Sequence, residues 1–195
     1  MRDEQAIDLL RSTGAIKRGH FLLSSGKHSD EYVEKFDLLR DPAATSQVLA
    51  GLAERLDAGD IDLVVGPTTG GILLAFELGR LLDRPAAYAE RVDDGSTRRE
   101  FRRGTTFDAG SRVLVIDDIL TTGGSLRETL DALVAHPVTV VGIAVLVDRS
   151  GGAVQFHNLP LYSIASLTID TWESSACPLC TRGIPLVKPG TTAVS

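Results

Sequence analysis

Cysteine is nearly missing from this sequence: of 195 residues, only Cys177 and Cys180 carry a thiol. Two are too few for the disulfide framework of a small secreted domain. Positive charge is in the minority, with 20 Lys and Arg against 26 Asp and Glu and a formal net charge of −6. A general nucleic-acid binder must neutralise phosphates and is usually basic, so the balance favours a small-molecule ligand and no nucleic acid. Long apolar runs are absent too. The longest, residues 138–147, is about half of what a membrane-spanning helix needs, so no membrane partner is expected. The start reads Met1-Arg2-Asp3-Glu4-Gln5, with acids where an export signal has a basic start and an apolar stretch. A cytoplasmic chain is the expectation. Repeats and low-complexity segments are lacking, and the charges are mixed rather than blocked, which argues against long disorder. What remains is an ordinary apolar fraction of 43%, enough for one compact domain over residues 1–195.

Periodicity divides that domain. The first dozen residues read as a helix with Ile7, Leu9 and Leu10 as its apolar positions. Residues 20–35 have strand character around a polar turn at Ser24-Ser25-Gly26-Lys27, and Pro42 opens a helix with Val48, Leu49, Leu52 and Leu56 as its stripe. From residue 61 strands and helices alternate. Strands are predicted at 61–65, 86–89, 113–116, 138–147 and 162–167, with helices at 70–82 and 124–135. Strands apolar on both faces, alternating with helices, predict a parallel sheet covered on both sides. Residues 60–170 form this core sheet, 1–40 an N-terminal lid, and 171–195 a C-terminal extension. Ligands of such sheets bind beyond the carboxyl ends of the strands.

One strand end stands out: Val113-Leu114-Val115-Ile116-Asp117-Asp118-Ile119-Leu120-Thr121-Thr122-Gly123-Gly124-Ser125. Small residues let backbone N–H groups approach a phosphate closely, and the positive end of the following helix adds to the attraction. Thr121, Thr122 and Ser125 add hydroxyl donors. Two carboxylates beside that loop would repel a phosphate, so they must hold something else, such as ribose hydroxyls or a Mg²⁺ that bridges to the ligand. Strand, acid pair and loop describe a cradle for ribose 5-phosphate. A plain strand–turn–helix junction explains the Thr and Gly residues but not two acids after four branched apolar residues. The segment contains neither a Walker lysine nor the Gly-x-Gly-x-x-Gly of dinucleotide sites.

This segment resembles the phosphoribosyl pyrophosphate signature of the type I phosphoribosyltransferases. The resemblance implies their Rossmann-like α/β fold, with a parallel sheet flanked by helices under a small hood. It implies that Asp117 and Asp118 engage the ribose, directly or through Mg²⁺, and that Ile119, Leu120, Thr121, Thr122, Gly123, Gly124 and Ser125 bind the sugar phosphate. Gly66-Pro67-Thr68-Thr69-Gly70-Gly71-Ile72 resembles the family's pyrophosphate loop, which often has a strained peptide bond, so Thr69, Gly70 and Gly71 are expected at the ligand. The stretch from Gly19 to Tyr32 resembles the lid of the orotate-using members, placing Ser25 and Tyr32 at the base. The same subfamily match implies that Arg149 pairs with the orotate carboxylate and that Thr121 touches orotate. A guanidinium fork binding a carboxylate by two parallel hydrogen bonds fits that role. The tail from Cys177 to Gly190 looks like the end of one orotate subgroup.

The pattern also departs from the family. Better-studied orotate enzymes have lysines where this chain has Ser24, Gly70 and Val92. Arg91, Arg98, Arg99, Arg102 and Arg103 are expected to supply the missing charge, with Arg98 and Arg99 catalytic and Arg91 on phosphoribosyl pyrophosphate. In the family this loop reaches into the neighbouring subunit's site, which implies a homodimer with shared active sites. Cys177 and Cys180 form half of a structural zinc site or a redox pair. A packed structural role is the preferred reading, intersubunit metal binding an alternative, and His157 the one third ligand considered. Three functions compete: an orotate transferase, a sister transferase for a purine or other base, and a non-catalytic phosphoribosyl pyrophosphate-binding regulator.

Overall fold

The structure, a computed structural model, describes residues 3–23 and 25–189. Ser24 and Gly190 therefore lie outside the described residues. In chain order the elements are α1 (Asp3–Ser12), β1 (Ile16–Leu22), β2 (His28–Val33), α2 (Lys35–Leu39), α3 (Pro42–Ala53), β3 (Leu63–Pro67), α4 (Gly70–Leu82) and β4 (Ala86–Arg91). They continue with β5 (Arg99–Glu100), β6 (Arg112–Leu120), α5 (Gly124–Leu133), β7 (Thr139–Asp148), β8 (Leu161–Ser166), β9 (Thr171–Trp172) and α6 (Pro178–Thr181).

Six strands form the central sheet in the order β5-β4-β3-β6-β7-β8, all parallel except β5 at the edge. Successive side chains of a strand point to opposite faces, and β6 feeds both. Leu114 and Ile116 pack with α1, α3 and α4 on one face, while Val113 and Val115 pack with α5 on the other. This two-sided burial is why the strands read as continuous apolar runs. α3 follows its sequence signals: Asp41 caps it by accepting the Ala44 N–H at 3.0 Å, Pro42 sits in the first turn, and Val48, Leu49 and Leu52 are buried.

β6 is longer than expected. It runs on through the two acids to Leu120, which pairs with Asp148 of β7. Across the acids its alternation changes phase: Ile116 and Ile119 both pack on the first core, and Leu120 lies in the second. A regular strand would send Asp117 and Asp118 to opposite faces. The phase change brings both carboxylates to one cavity.

The lid and the tail form one module. The β1–β2 hairpin is joined by β9 through the pairs His28 with Trp172 and Ser29 with Thr171. Beyond α6 the chain returns to β1, where Leu22 N–H donates to Val187 O at 2.9 Å and Val187 N–H to His20 O at 2.8 Å. This docking brings Cys177 and Cys180 to His20 and His28. His157, on the loop before β8, is exposed and has no place in that group. No helix among the described residues is long and apolar enough to cross a membrane.

Candidate functional site

A cavity of about 620 Å³ opens at the carboxyl end of the sheet. That lies within the usual range for small-molecule sites. Its lining gathers most of the residues singled out from the sequence. Asp117, Asp118, Ile119, Thr121, Thr122, Gly123, Gly124 and Ser125 come from β6 and the turn after it, Thr69 from the loop after β3, and Tyr32, Arg91 and Arg149 from the strands around them.

The acid pair forms the floor, with Asp117 8% and Asp118 5% exposed. Asp117 Oδ1 accepts the Asp118 N–H, and Asp118 Oδ1 accepts the Ile119 N–H, both at 2.8 Å. Lys35 Nζ lies 2.8 Å from Asp118 Oδ2. Burial pushes the Asp117 carboxyl up to about 7, helped by the Asp118 charge; the Asp118 N–H, Lys35 and Arg99 pull the other way. Lys35 escaped the sequence reading. It follows the lid strand directly and starts α2, and the pattern Tyr32-Val33-Glu34-Lys35 was its only signal.

Two helix starts line the cavity. α5 begins after Gly123, whose φ of +78° falls in the left-handed region, and a Cβ there would meet Phe156 and Val154 at 3.0 Å. Unlike α3, neither α5 nor α4 has a side-chain hydrogen bond capping its start. Phosphate oxygens suit such helix ends, because leading N–H groups and the helix dipole both favour an anion. The Thr68–Thr69 bond before α4 is cis. Gly70 and Gly71 are buried beneath the loop rather than lining the cavity, and a Cβ on Gly70 would run into the Asp118 carboxylate. Glycine at this position thus makes room for the acid. Arg149, just beyond the end of β7, also lines the cavity. Its backbone N–H donates to Leu120 O at 2.8 Å, and its buried Nε has no hydrogen-bond partner among the described residues.

Besides Gly70 and Gly71, four expected residues are not brought to the cavity. Ser25 is exposed in the hairpin turn, and the Leu120 side chain is buried in the core beside α5. Arg98 and Arg99 line a different depression. Arg99 is 4% exposed and fully engaged: Nε donates to Glu128 Oε2 at 3.0 Å, and Nη1 to Thr68 Oγ1 at 3.2 Å and Ala89 O at 3.3 Å. It braces β5 against the loop after β3 and against α5, which corrects its reading as free positive charge for the ligand. The other arginines of the loop also have acid partners: Arg98 with Asp94 and Glu100, Arg102 with Glu100, Arg103 with Glu90, and Arg91 with Glu128. Those pairs are exposed enough that a phosphate can displace the acid at little cost. Arg99 is held too deeply for that.

The chain matches the family model of the phosphoribosyl transferase domain over residues 37–169. It is 42% identical over 190 residues to the orotate phosphoribosyltransferase of Caldanaerobacter subterraneus subsp. tengcongensis, covering 97% of this chain and 98% of that one. A second orotate phosphoribosyltransferase, from Caldicellulosiruptor saccharolyticus, is 41% identical over 194 residues with both chains covered completely. Among solved structures, the orotate phosphoribosyltransferase of Aeropyrum pernix superposes with a TM-score of 0.71 at 33% identity, covering 82% of this chain and 92% of that one.

Two outcomes follow from the geometry. Arg99→Ala leaves Glu128 half-paired beside a buried gap and costs about 3 kcal/mol of stability in urea denaturation, whereas Arg98→Ala changes it by less than about 0.5 kcal/mol; equal effects would contradict the brace. Folded Asp117 keeps its proton up to about pH 7, while an ordinary aspartate loses it near 3.8. The folded chain therefore binds more protons across that interval, and stability falls as pH rises through it. Asp117→Asn flattens this fall and raises the melting temperature of the ligand-free protein at about pH 8 by about 2–6 °C. Parallel pH profiles for the two proteins would refute the buried carboxylate.

Proposed function

The chain belongs to the phosphoribosyltransferase family, and on that footing we propose that it is an orotate phosphoribosyltransferase, moving the phosphoribosyl group of phosphoribosyl pyrophosphate to orotate with release of pyrophosphate. The observation that carries the reading is one cavity lined by an acid pair, two helix starts without side-chain caps and an arginine whose buried Nε has no partner among the described residues. The product is orotidine 5′-phosphate, an intermediate of pyrimidine synthesis, and the cytoplasm is the expected compartment.

Each group has a task in the displacement at the anomeric carbon. The turn at residues 121–125 and the α5 start hold the 5-phosphate, and the loop at 68–71 with the α4 start holds the pyrophosphate. Asp117 and Asp118 fix the ribose hydroxyls, and their charge opposes the positive charge that builds on the sugar as the bond to pyrophosphate breaks. Arg149 grips the orotate carboxylate with its free guanidinium edge. The Tyr32 ring covers the base plane, and burial together with Glu34 holds its hydroxyl above its ordinary pKa, so it stays protonated. Lys35 occupies Asp118 in the absence of ligand and is placed to turn to the leaving group when the sugar takes its place.

Mg²⁺ is the expected cofactor. The donor set suits it, since Asp117 and Asp118 offer hard carboxylate oxygens that line the cavity. These two residues would hold it directly or through the ribose, and the ion would neutralise the leaving pyrophosphate. A homodimer with shared sites completes the reading. Phe76 and Leu73, one turn apart on α4, are exposed apolar side chains that a second copy would cover. The exposed arginines at 98, 102 and 103 would then meet the partner's ligand, with Arg98 closest to a catalytic role.

The test is turnover of phosphoribosyl pyrophosphate and Mg²⁺ with orotate, uracil, adenine, hypoxanthine and xanthine in turn, on protein whose mass in solution is checked by light scattering. Orotate alone is expected to react, in a dimer. Arg149→Ala is expected to raise KM for orotate at least about 100-fold with a smaller effect on phosphoribosyl pyrophosphate. Turnover of a purine would replace the base assignment, and ligand binding without turnover would make the protein a regulator.

A further inference from the structure

Outside this cavity, at the join of lid and tail, four side chains converge. β1 contributes His20 and β2 opens with His28, while Cys177 and Cys180 flank the first turn of α6. None of the four lines the cavity. His20, His28 and Cys177 are buried, at 2%, 5% and 1% exposure. The ligand atoms all lie within 4.8 Å of one another.

Hydrogen bonding alone does not account for this group. The carbonyl of Ile184 lies 2.7 Å from His20 Nδ1, and a carbonyl can only accept, so Nδ1 carries the proton and donates. That leaves Nε2 with one lone pair. Three atoms crowd that lone pair: His28 Nδ1 at 2.8 Å, Cys177 Sγ at 3.5 Å and Cys180 Sγ at 3.8 Å. One of them at most can donate to it. Cys180 Sγ is also 3.3 Å from His28 Nδ1. A cation at the centre satisfies all four at once. Zinc–nitrogen bonds of about 2.0–2.1 Å and zinc–sulfur bonds of about 2.3 Å, set tetrahedrally, put nitrogen and sulfur ligands about 3.5 Å apart. Three of the four nitrogen–sulfur pairs, at 3.5, 3.8 and 3.3 Å, bracket that value, and the two nitrogens, 2.8 Å apart, would part by about half an ångström on binding. The backbone carbonyl on the far nitrogen of His20 is the outer contact that orients a metal-binding imidazole. Two thiolates and two imidazoles with no carboxylate select zinc over Mg²⁺ or Ca²⁺.

We propose that His20, His28, Cys177 and Cys180 bind one structural Zn²⁺ that fastens the C-terminal segment to the lid hairpin. The link reinforces a docking made of a two-residue strand, the pair of hydrogen bonds at Val187 and single polar contacts at Asp170, Glu173 and Ile184. By holding β1 and β2 the metal stiffens the hairpin that presents Tyr32 to the cavity and leads into Lys35. The assignment replaces both the packed-cysteine reading and the intersubunit one, since all four ligands come from one chain. It is independent of which base the cavity takes.

The protein is produced with added zinc, purified under reducing conditions without chelator, and analysed for metal. About one zinc per chain is expected in the unaltered protein, and less than about 0.1 in Cys180→Ser. Because Cys180 is exposed, that variant is expected to fold, which circular dichroism verifies. Reconstitution of the unaltered protein with Co²⁺ gives the visible bands of a tetrahedral ion and a thiolate-to-metal charge-transfer band. Stripping zinc from the unaltered protein with a strong chelator lowers its melting temperature by at least about 5 °C, and zinc restores it. A folded, unaltered protein with no stoichiometric zinc and no thiolate–cobalt band would overturn the proposal, as would full zinc retention in a Cys177→Ser, Cys180→Ser double variant.

Discussion

Two neighbouring carboxylates at the end of a buried strand repel each other and resist loss of water, and the rest of the site is arranged around them. Their position is possible because β6 changes phase beyond Ile116, so that one cavity receives both. It is tolerated because Asp118 finds Lys35 and each acid accepts the next backbone N–H. Space for Asp118 exists because residue 70 has no side chain. Asp117 nonetheless stays above the usual carboxylate range, chiefly because burial strips it of water and also because of the Asp118 charge, so its own charge is incompletely compensated. An incompletely compensated pair is suited to its task, since a sugar that gains positive charge during reaction relieves the repulsion and is stabilised by it.

Around this pair the cavity alternates in sign. On the proposed reading, anions would be received by the two helix starts with no side-chain cap and by the cations Arg91 and Lys35. The carboxylate of the base would be received by Arg149, whose buried Nε has no partner among the described residues. Glu128 lies between these zones and ties down Arg91 and Arg99. The arginine loop thus contributes in two ways: Arg99 as a buried strut that fixes the loop after β3, and the exposed arginines as charges whose present partners are easily exchanged.

The sheet, its order of elements and the acid-pair cradle were legible because they rest on local pattern: apolar runs of strand length, a helix stripe, small residues after two acids. Contacts between distant segments were not. The brace from Arg99 to Glu128 spans residues 29 apart, and nothing in a run of arginines tells a buried strut from a surface charge. Lys35 looked like one more charge after a strand. The join of lid and tail was hidden most deeply, because His20 and His28 lie more than 140 residues from the two cysteines. His157, nearer in sequence, was the wrong partner for the same reason. The course of β6 through its acids was unreadable because carboxylates usually end a strand, and here pairing with β7 carries the strand on to Leu120.

The central claim is that Asp117 and Asp118 with the turn behind them grip a sugar phosphate. Titration calorimetry of phosphoribosyl pyrophosphate with Mg²⁺, on the unaltered protein and on the Asp117→Asn, Asp118→Asn double variant, tests it most directly. The account predicts saturable binding to the first and an affinity at least about 100-fold weaker in the second, with the variant folded. Equal affinity in the two proteins would contradict it.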